Sequence, residues 1–199
     1  MLMSVLVSSS RFDSHPDHKP HECPPWIAWF LASPVRRLLE DPRRTLAPVK
    51  SGNTVLEVGP GYGFYTFPAA RLVGDGRVVC VDVQRRMLDE LGRRAQRRGL
   101  GNRIELRHVG DCELGADLTN TVDVVLAINV VHESRTPARL MECMARTMKP
   151  GAKLVFAEPR HHCTDALFEA ELGWAEAAGL RVQERSVKRM AYSAILARA

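Results

Sequence analysis

Residues 55–64 read Val55-Leu56-Glu57-Val58-Gly59-Pro60-Gly61-Tyr62-Gly63-Phe64. An apolar run of this length with one acidic residue in it reads as a buried strand. Three glycines follow at alternate positions, which marks a turn where backbone comes very close to something. From Tyr65 to Leu72 the pattern turns helical, with Pro68 tolerated only in the first turn. Strand, glycine turn and helix start together describe a site for a nucleotide-like ligand.

The glycine spacing narrows that ligand. A dinucleotide-binding turn has the form G-x-G-x-x-G, and the position of its third glycine is Phe64 here. The chain gives instead Glu57-x-Gly59-x-Gly61-x-Gly63, which resembles the first motif of class I S-adenosylmethionine (SAM) dependent methyltransferases. The resemblance implies SAM as the cofactor. It implies that Gly59, Gly61 and Gly63 pass beneath the amino-acid and ribose parts of SAM, and that Glu57 helps to orient the ammonium group. SAM has no pyrophosphate, so a helix dipole aimed at phosphate is not required.

Composition agrees with one globular domain of ordinary size. The chain has 199 residues, 45% hydrophobic and 26% charged, and no apolar run approaches the roughly 18 residues of a membrane span. The apolar start, Met1 to Val7, is short and has no basic leader, so a secretory signal is not expected. Five cysteines without a C-x-x-C pair point to a reducing, cytoplasmic setting and no disulfide framework. The net charge of +5 raises nucleic acid as a partner. Arg93, Arg94, Arg97 and Arg98, however, read as the solvated face of one helix, with no interleaved aromatics on which bases could stack.

The sequence divides into a flexible tail over 1–22, a helical cap over 23–50 and the cofactor domain over 51–199. His15, His18, His21 and Cys23 carry zinc-compatible groups but complete no zinc motif, so no metal site is expected. In the cap, Trp26, Trp29 and Phe30 share one helical face; Trp26 and Trp29 are candidates for a lid over the acceptor. A second short helix is expected from Val35 to Glu40, stopped before Pro42.

From residue 54 strands and helices alternate. Strands are expected at 54–58, 77–82, 104–108, 122–128, 153–157, 180–187 and 192–197, with helices at 85–98, 137–148 and 164–178 between them. The run Val122–Ile128 is almost wholly apolar, as the centre of a sheet covered on both faces must be. The pattern predicts an α/β fold: a doubly wound seven-stranded sheet, mostly parallel, with helices on both faces. The last connection is too short for a parallel crossover, so the last strand is antiparallel. The class I methyltransferases have this arrangement, and the resemblance covers residues 50–199.

Ligands in such sheets bind outside the carboxyl ends of the strands. Strand two ends in Asp82, about 20 residues after the glycine turn, suited to accepting hydrogen bonds from ribose hydroxyls. Val83 is an apolar neighbour for adenine. The resemblance gives Asp111 the adenine amino group and sets Cys112 against the ring.

Strand four ends in Ile128-Asn129-Val130-Val131-His132-Glu133, the loop that faces the sulfonium in the family, with Asn129 beside the cofactor. It lacks the Asn/Asp-Pro-Pro-aromatic pattern of amino-nitrogen methylation, the Pro-Cys pair that attacks pyrimidines, and the paired glutamates of protein arginine methyltransferases. What remains resembles the small-molecule branch related to quinone-biosynthesis and arsenite methyltransferases, although the cysteines do not form an arsenic-binding set. His132 is the candidate general base, or else a neutral wall of the pocket. The acceptor would sit among Trp26, Trp29, Tyr65, His132 and His161. No large insertion separates the later strands, which favours a small acceptor. The alternatives are an RNA methyltransferase and a non-catalytic SAM-binding or partner-binding module.

Overall fold

A computed structural model describes residues 41–110 and 112–199. The expected tail and cap up to residue 40, with the His15/His18/His21/Cys23 tract, Trp26, Trp29 and the Val35–Glu40 helix, lie outside the described residues, as does Asp111.

Seven strands form one sheet in the order β3-β2-β1-β4-β5-β7-β6. They are β1 Thr54–Val58, β2 Arg77–Asp82, β3 Ile104–His108, β4 Val122–Ile128, β5 Met148–Pro159, β6 Leu180–Val187 and β7 Ala191–Arg198. β1 to β5 pair in parallel, while β7 is antiparallel to both β5 and β6. The order reverses at β1, where the chain leaves the β1-β2-β3 half and crosses to β4. The connections that follow the adjacent strands β1 and β4 run to opposite sides, to β2 and to β5, which opens the crevice that α/β ligands use.

The described helices are α1 Pro42–Thr45, α2 Thr66–Leu72, α3 Arg85–Arg97, α4 Pro137–Thr147 and α5 Asp165–Ala177. They bury two layers, one on each sheet face. Leu56, Val58, Val79, Val81, Val125 and Ala127 turn toward α4 and α5, where Met141, Met144, Leu167 and Phe168 meet them. Val55, Val78, Cys80, Val124 and Leu126 turn the other way, onto Phe67 of α2 and Leu91 of α3. Strand side chains alternate in direction, so the continuous apolar runs of the sequence fill both layers.

Two local differences from the sequence expectations have plain causes. Pro42 opens a helical turn, where a stop was expected, because the Asp41 side chain accepts from Arg43 N at 3.0 Å and proline suits a first helical position. β5 is longer than expected. Met148 pairs with Val122 directly after α4, and the register resumes at Val124↔Lys153. Pro150 and Gly151, at φ +76°, therefore sit in a bulge and do not end the ladder.

On α3, Glu90 gathers Arg93, Arg94 and Arg97 within 3.6 Å, and Arg98 stands over the Phe67 ring. These arginines are largely engaged within their own helix and with its neighbours. No helix among the described residues is long and apolar enough to cross a membrane.

Candidate active site

The glycine turn forms as the spacing demands. Gly59 N donates to Val81 O at 3.0 Å and Gly63 N to Pro60 O at 3.1 Å. Gly63 lies at φ +89°, and a Cβ there would stand 2.5 Å from the Phe67 ring and 2.8 Å from Leu91 Cδ1. Only hydrogen fits, because α2 and α3 close over this position. Gly61 is also left-handed, at φ +52°, but a Cβ there would meet nothing within 4 Å. Its lack of a side chain keeps open space in front of the turn. The two glycines therefore serve different ends, packing behind and access in front.

Glu57 is 3% exposed and points into the α2–α3 layer. It accepts from Thr66 Oγ1 at 2.6 Å and faces Cys80 Sγ at 3.8 Å. Burial pushes its carboxyl up to about 7, against the lowering effect of Thr66 and Cys80. It anchors the turn to α2 through Thr66, a partner the sequence reading missed although a hydroxyl nine residues on was legible. Tyr65, expected near the acceptor, is buried in this same layer, edge-on to Phe64.

At the end of β2, Asp82 Oδ1 accepts from Gln84 N at 2.8 Å. That bond shapes the entry to α3 and holds the carboxylate at the strand end. Val83 beside it is 45% exposed, and its carbonyl lies 3.0 Å from His108 Nε2. Cys112 takes a left-handed φ of 63°, and its sulfur lies 3.2 Å from Thr136 Oγ1, ahead of α4. An open glycine turn, a carboxylate at the end of β2 and an exposed apolar side chain beside it fit SAM. They would take its amino-acid end, ribose hydroxyls and adenine face respectively.

The carboxyl ends of β4 and β5 carry the second half of the site. Asn129, at φ 57°, donates its N–H to Ala157 O at 2.8 Å. The left-handed residue swings the chain into a short turn, Val131–Glu133. This buries His132, 4% exposed, against Glu158 of β5, which is fully buried. Glu158 Oε1 accepts from Val131 N at 2.8 Å and His132 N at 3.3 Å, while Oε2 bonds His132 Nδ1. Two backbone N–H groups aimed at Glu158 favour its charged, acceptor-only form, which assigns the ring proton to Nδ1 and the lone pair to Nε2. Nε2 lies 3.8 Å from Glu133 Oε1. Burial pushes the Glu158 carboxyl up, and the backbone N–H groups of Val131 and His132 pull it back down.

His162 stacks on His132 with ring centroids 5.8 Å apart. His161, the residue chosen from sequence, is exposed and touches His162 at 4.3 Å. Behind Glu158 lies Glu171 of α5, also fully buried, whose Oε2 accepts from Cys163 Sγ at 3.6 Å. Sequence reasoning missed Glu158, His162 and Glu171. The signal for Glu158 was present, since an acidic residue near the end of an apolar strand had already singled out Glu57. Among the described residues no cluster of three or more His, Cys, Asp or Glu side chains could hold a metal.

Residues 55–151 match the model of the methyltransferase domain. A SAM-dependent methyltransferase from Aquifex aeolicus superposes with a TM-score of 0.79 at 27% identity, over 89% of this chain and 100% of that one. The ubiquinone/menaquinone biosynthesis C-methyltransferase UbiE of Pseudomonas entomophila is 31% identical over 70% of this chain and 56% of its own length. An arsenite methyltransferase of Halobacterium salinarum is 26% identical over 58% of this chain and 29% of its own length. The chain thus spans only part of the length of these two curated relatives. Residues 55–151 are thus a methyltransferase domain, and the glycine motif, sheet order and structural match are of the class I SAM-dependent methyltransferase kind.

Proposed function

We propose that the protein transfers a methyl group from SAM to a small-molecule acceptor. The observation that carries this reading is convergence at one edge. β2, β1, β4 and β5 are neighbours in the sheet, and their carboxyl ends bring Asp82, the glycine turn, Asn129 to His132, and Glu158 to one crevice. Gly59, Gly61 and Gly63 with Asp82, Val83, Cys112 and Asn129 would hold the cofactor, as would Asp111. Bound there, SAM supplies an electrophilic methyl group with a good leaving group.

His132 is the proton acceptor for the attacking atom. Glu158 holds the proton on Nδ1, leaving Nε2 basic, and would stabilise the imidazolium formed on proton uptake. Alignment and exclusion of water supply much of the remaining acceleration in an in-line displacement. His162, stacked on His132, and its exposed neighbour His161 form an aromatic wall suited to a flat acceptor. The relatives named for quinone biosynthesis support an aromatic or quinol acceptor. The four cysteines among the described residues are divided between opposite sheet faces, with Cys80 in one layer and Cys112, Cys143 and Cys163 at the other, and give no support to arsenite.

Calorimetric titration with SAM and S-adenosylhomocysteine, on wild type and Asp82→Ala, tests the cofactor half. Saturable binding that weakens sharply in the variant is expected; no binding to wild type overturns the reading. Release of S-adenosylhomocysteine from SAM with a panel of phenols, quinols and small amines tests the acceptor half. Turnover on RNA alone would overturn the small-molecule assignment.

A further inference from the structure

Glu158 of β5 and Glu171 of α5 are two fully buried carboxyls, and both act on the buried Cys163 between those elements. Their hydrogen bonding is unequal. Glu158 receives two backbone N–H groups and the His132 ring. Glu171 receives a single thiol, at 3.6 Å, and its Oε1 has no hydrogen-bond partner among the described residues. Two anions cannot share such a site, because low dielectric and like charge both oppose the second ionisation. The one negative charge therefore resides where the donors converge.

We propose that Glu171 is a positioning residue of the active site, a carboxylic acid kept protonated so that Glu158 alone carries charge and fixes the His132 tautomer. This rests on the reading of His132 as the proton acceptor. Burial first, and the Glu158 charge second, push the Glu171 carboxyl up to about 9, and the same neighbourhood pushes the Cys163 thiol above the usual range.

Among the described residues the groups around the pair include His132 with Glu133 from the Val131–Glu133 turn, His162 stacked on His132, Cys163 and Asp165 at the start of α5, and Tyr192, opposite Glu158 in the β5–β7 register. The nearby arginines stand outside the layer: Arg160 over the Tyr192 ring, and Arg185 over Phe168 and paired with exposed Glu169. His132 is thus the cation-forming group in contact with the pair. Above the working range Glu171 loses its proton. A second anion then faces Glu158, and the bond to Nδ1 changes character.

The test uses the full chain labelled with 13C at glutamate side chains and 15N at histidine rings, titrated by NMR without any acceptor. A protonated Glu171 carboxyl at pH 7 that ionises only above pH 8 is expected, beside an ionised Glu158. The His132 ring signals should keep the Nδ1–H tautomer to pH 8 and shift as Glu171 ionises. In Glu171→Gln, a neutral isostere, the Nδ1–H tautomer should persist and the alkaline shift of the His132 signals should vanish. An ionised Glu171 at pH 7, or His132 signals with the same alkaline shift in Glu171→Gln, overturns the proposal. Because these readouts need no turnover, they separate its failure from that of the proposed methyl transfer. If turnover occurs while Glu171 is ionised, only this proposal is lost.

Discussion

Glu158 holds His132 from below and from one side. Its Oε1 takes the backbone N–H groups of Val131 and His132, at 2.8 and 3.3 Å, and its Oε2 takes the ring Nδ1. One strand-end carboxylate thus shapes the loop after β4 and chooses the imidazole tautomer. Loop conformation and proton-accepting nitrogen are fixed together.

His132→Gln keeps a polar side chain but removes the proton acceptor. Turnover on the identified acceptor should fall about 100- to 10,000-fold, with SAM affinity by calorimetry unchanged. Unaltered turnover with an unaltered pH profile would show that the ring only shapes the pocket.

Glu158→Ala strands a buried imidazole and two backbone donors. Thermal or urea unfolding should report a loss of about 3 kcal/mol or more, the cost of breaking a buried hydrogen-bonded pair. Glu158→Gln retains an acceptor for the backbone N–H groups, so it should lose less stability while still losing turnover.

The glycines should separate by property. Gly63→Ala sets a methyl against Phe67 and Leu91 in a left-handed conformation. Urea unfolding should show it destabilised by about 3 kcal/mol from overpacking and backbone strain together. Gly61→Ala meets no atom of the protein and should cost only about 1–2 kcal/mol of strain. Its main effect should be weaker SAM binding, because the methyl enters the space before the turn. Equal affinity of Gly61→Ala and wild type for SAM would put the cofactor elsewhere.

Asp82→Ala removes a ribose acceptor and the bond to Gln84 N. Losing one or two hydrogen bonds to a charged group, worth about 2 kcal/mol, lowers SAM affinity roughly 30-fold. Calorimetry reads this directly.

Two buried carboxyls, Glu57 and Glu171, dominate the pH dependence of stability. Glu57 rises from 4.5 to about 7 and Glu171 to about 9. Each folded carboxyl binds its proton more tightly than the unfolded one. Each contribution is therefore complete below pH 4.5 and lost as pH rises through the folded value. The melting temperature should fall from pH 5 toward pH 9. Glu57→Gln should flatten the part of that decline between pH 4.5 and about 7, a window worth on the order of 3 kcal/mol. An unchanged slope in that variant would mean that Glu57 stays ionised in the folded protein.

The chain sequence by itself determined the strands, the glycine turn and the place of Asp82 at the end of β2. Periods of two and 3.6 residues, glycine stops and apolar runs are local properties, and five of the seven expected strands have the observed bounds. Even the antiparallel last strand followed from a connection too short to cross over. Juxtaposition was decided only in the tertiary structure. His161 and His162 are exposed neighbours in a turn, where no periodicity tells which ring meets His132, and the fold stacks His162 on it. Glu158 and Glu171 sit on a strand and a helix that share a layer only after α5 folds back onto the sheet. Burial of both carboxyls together, with donors converging on one, then divides charge and proton between them.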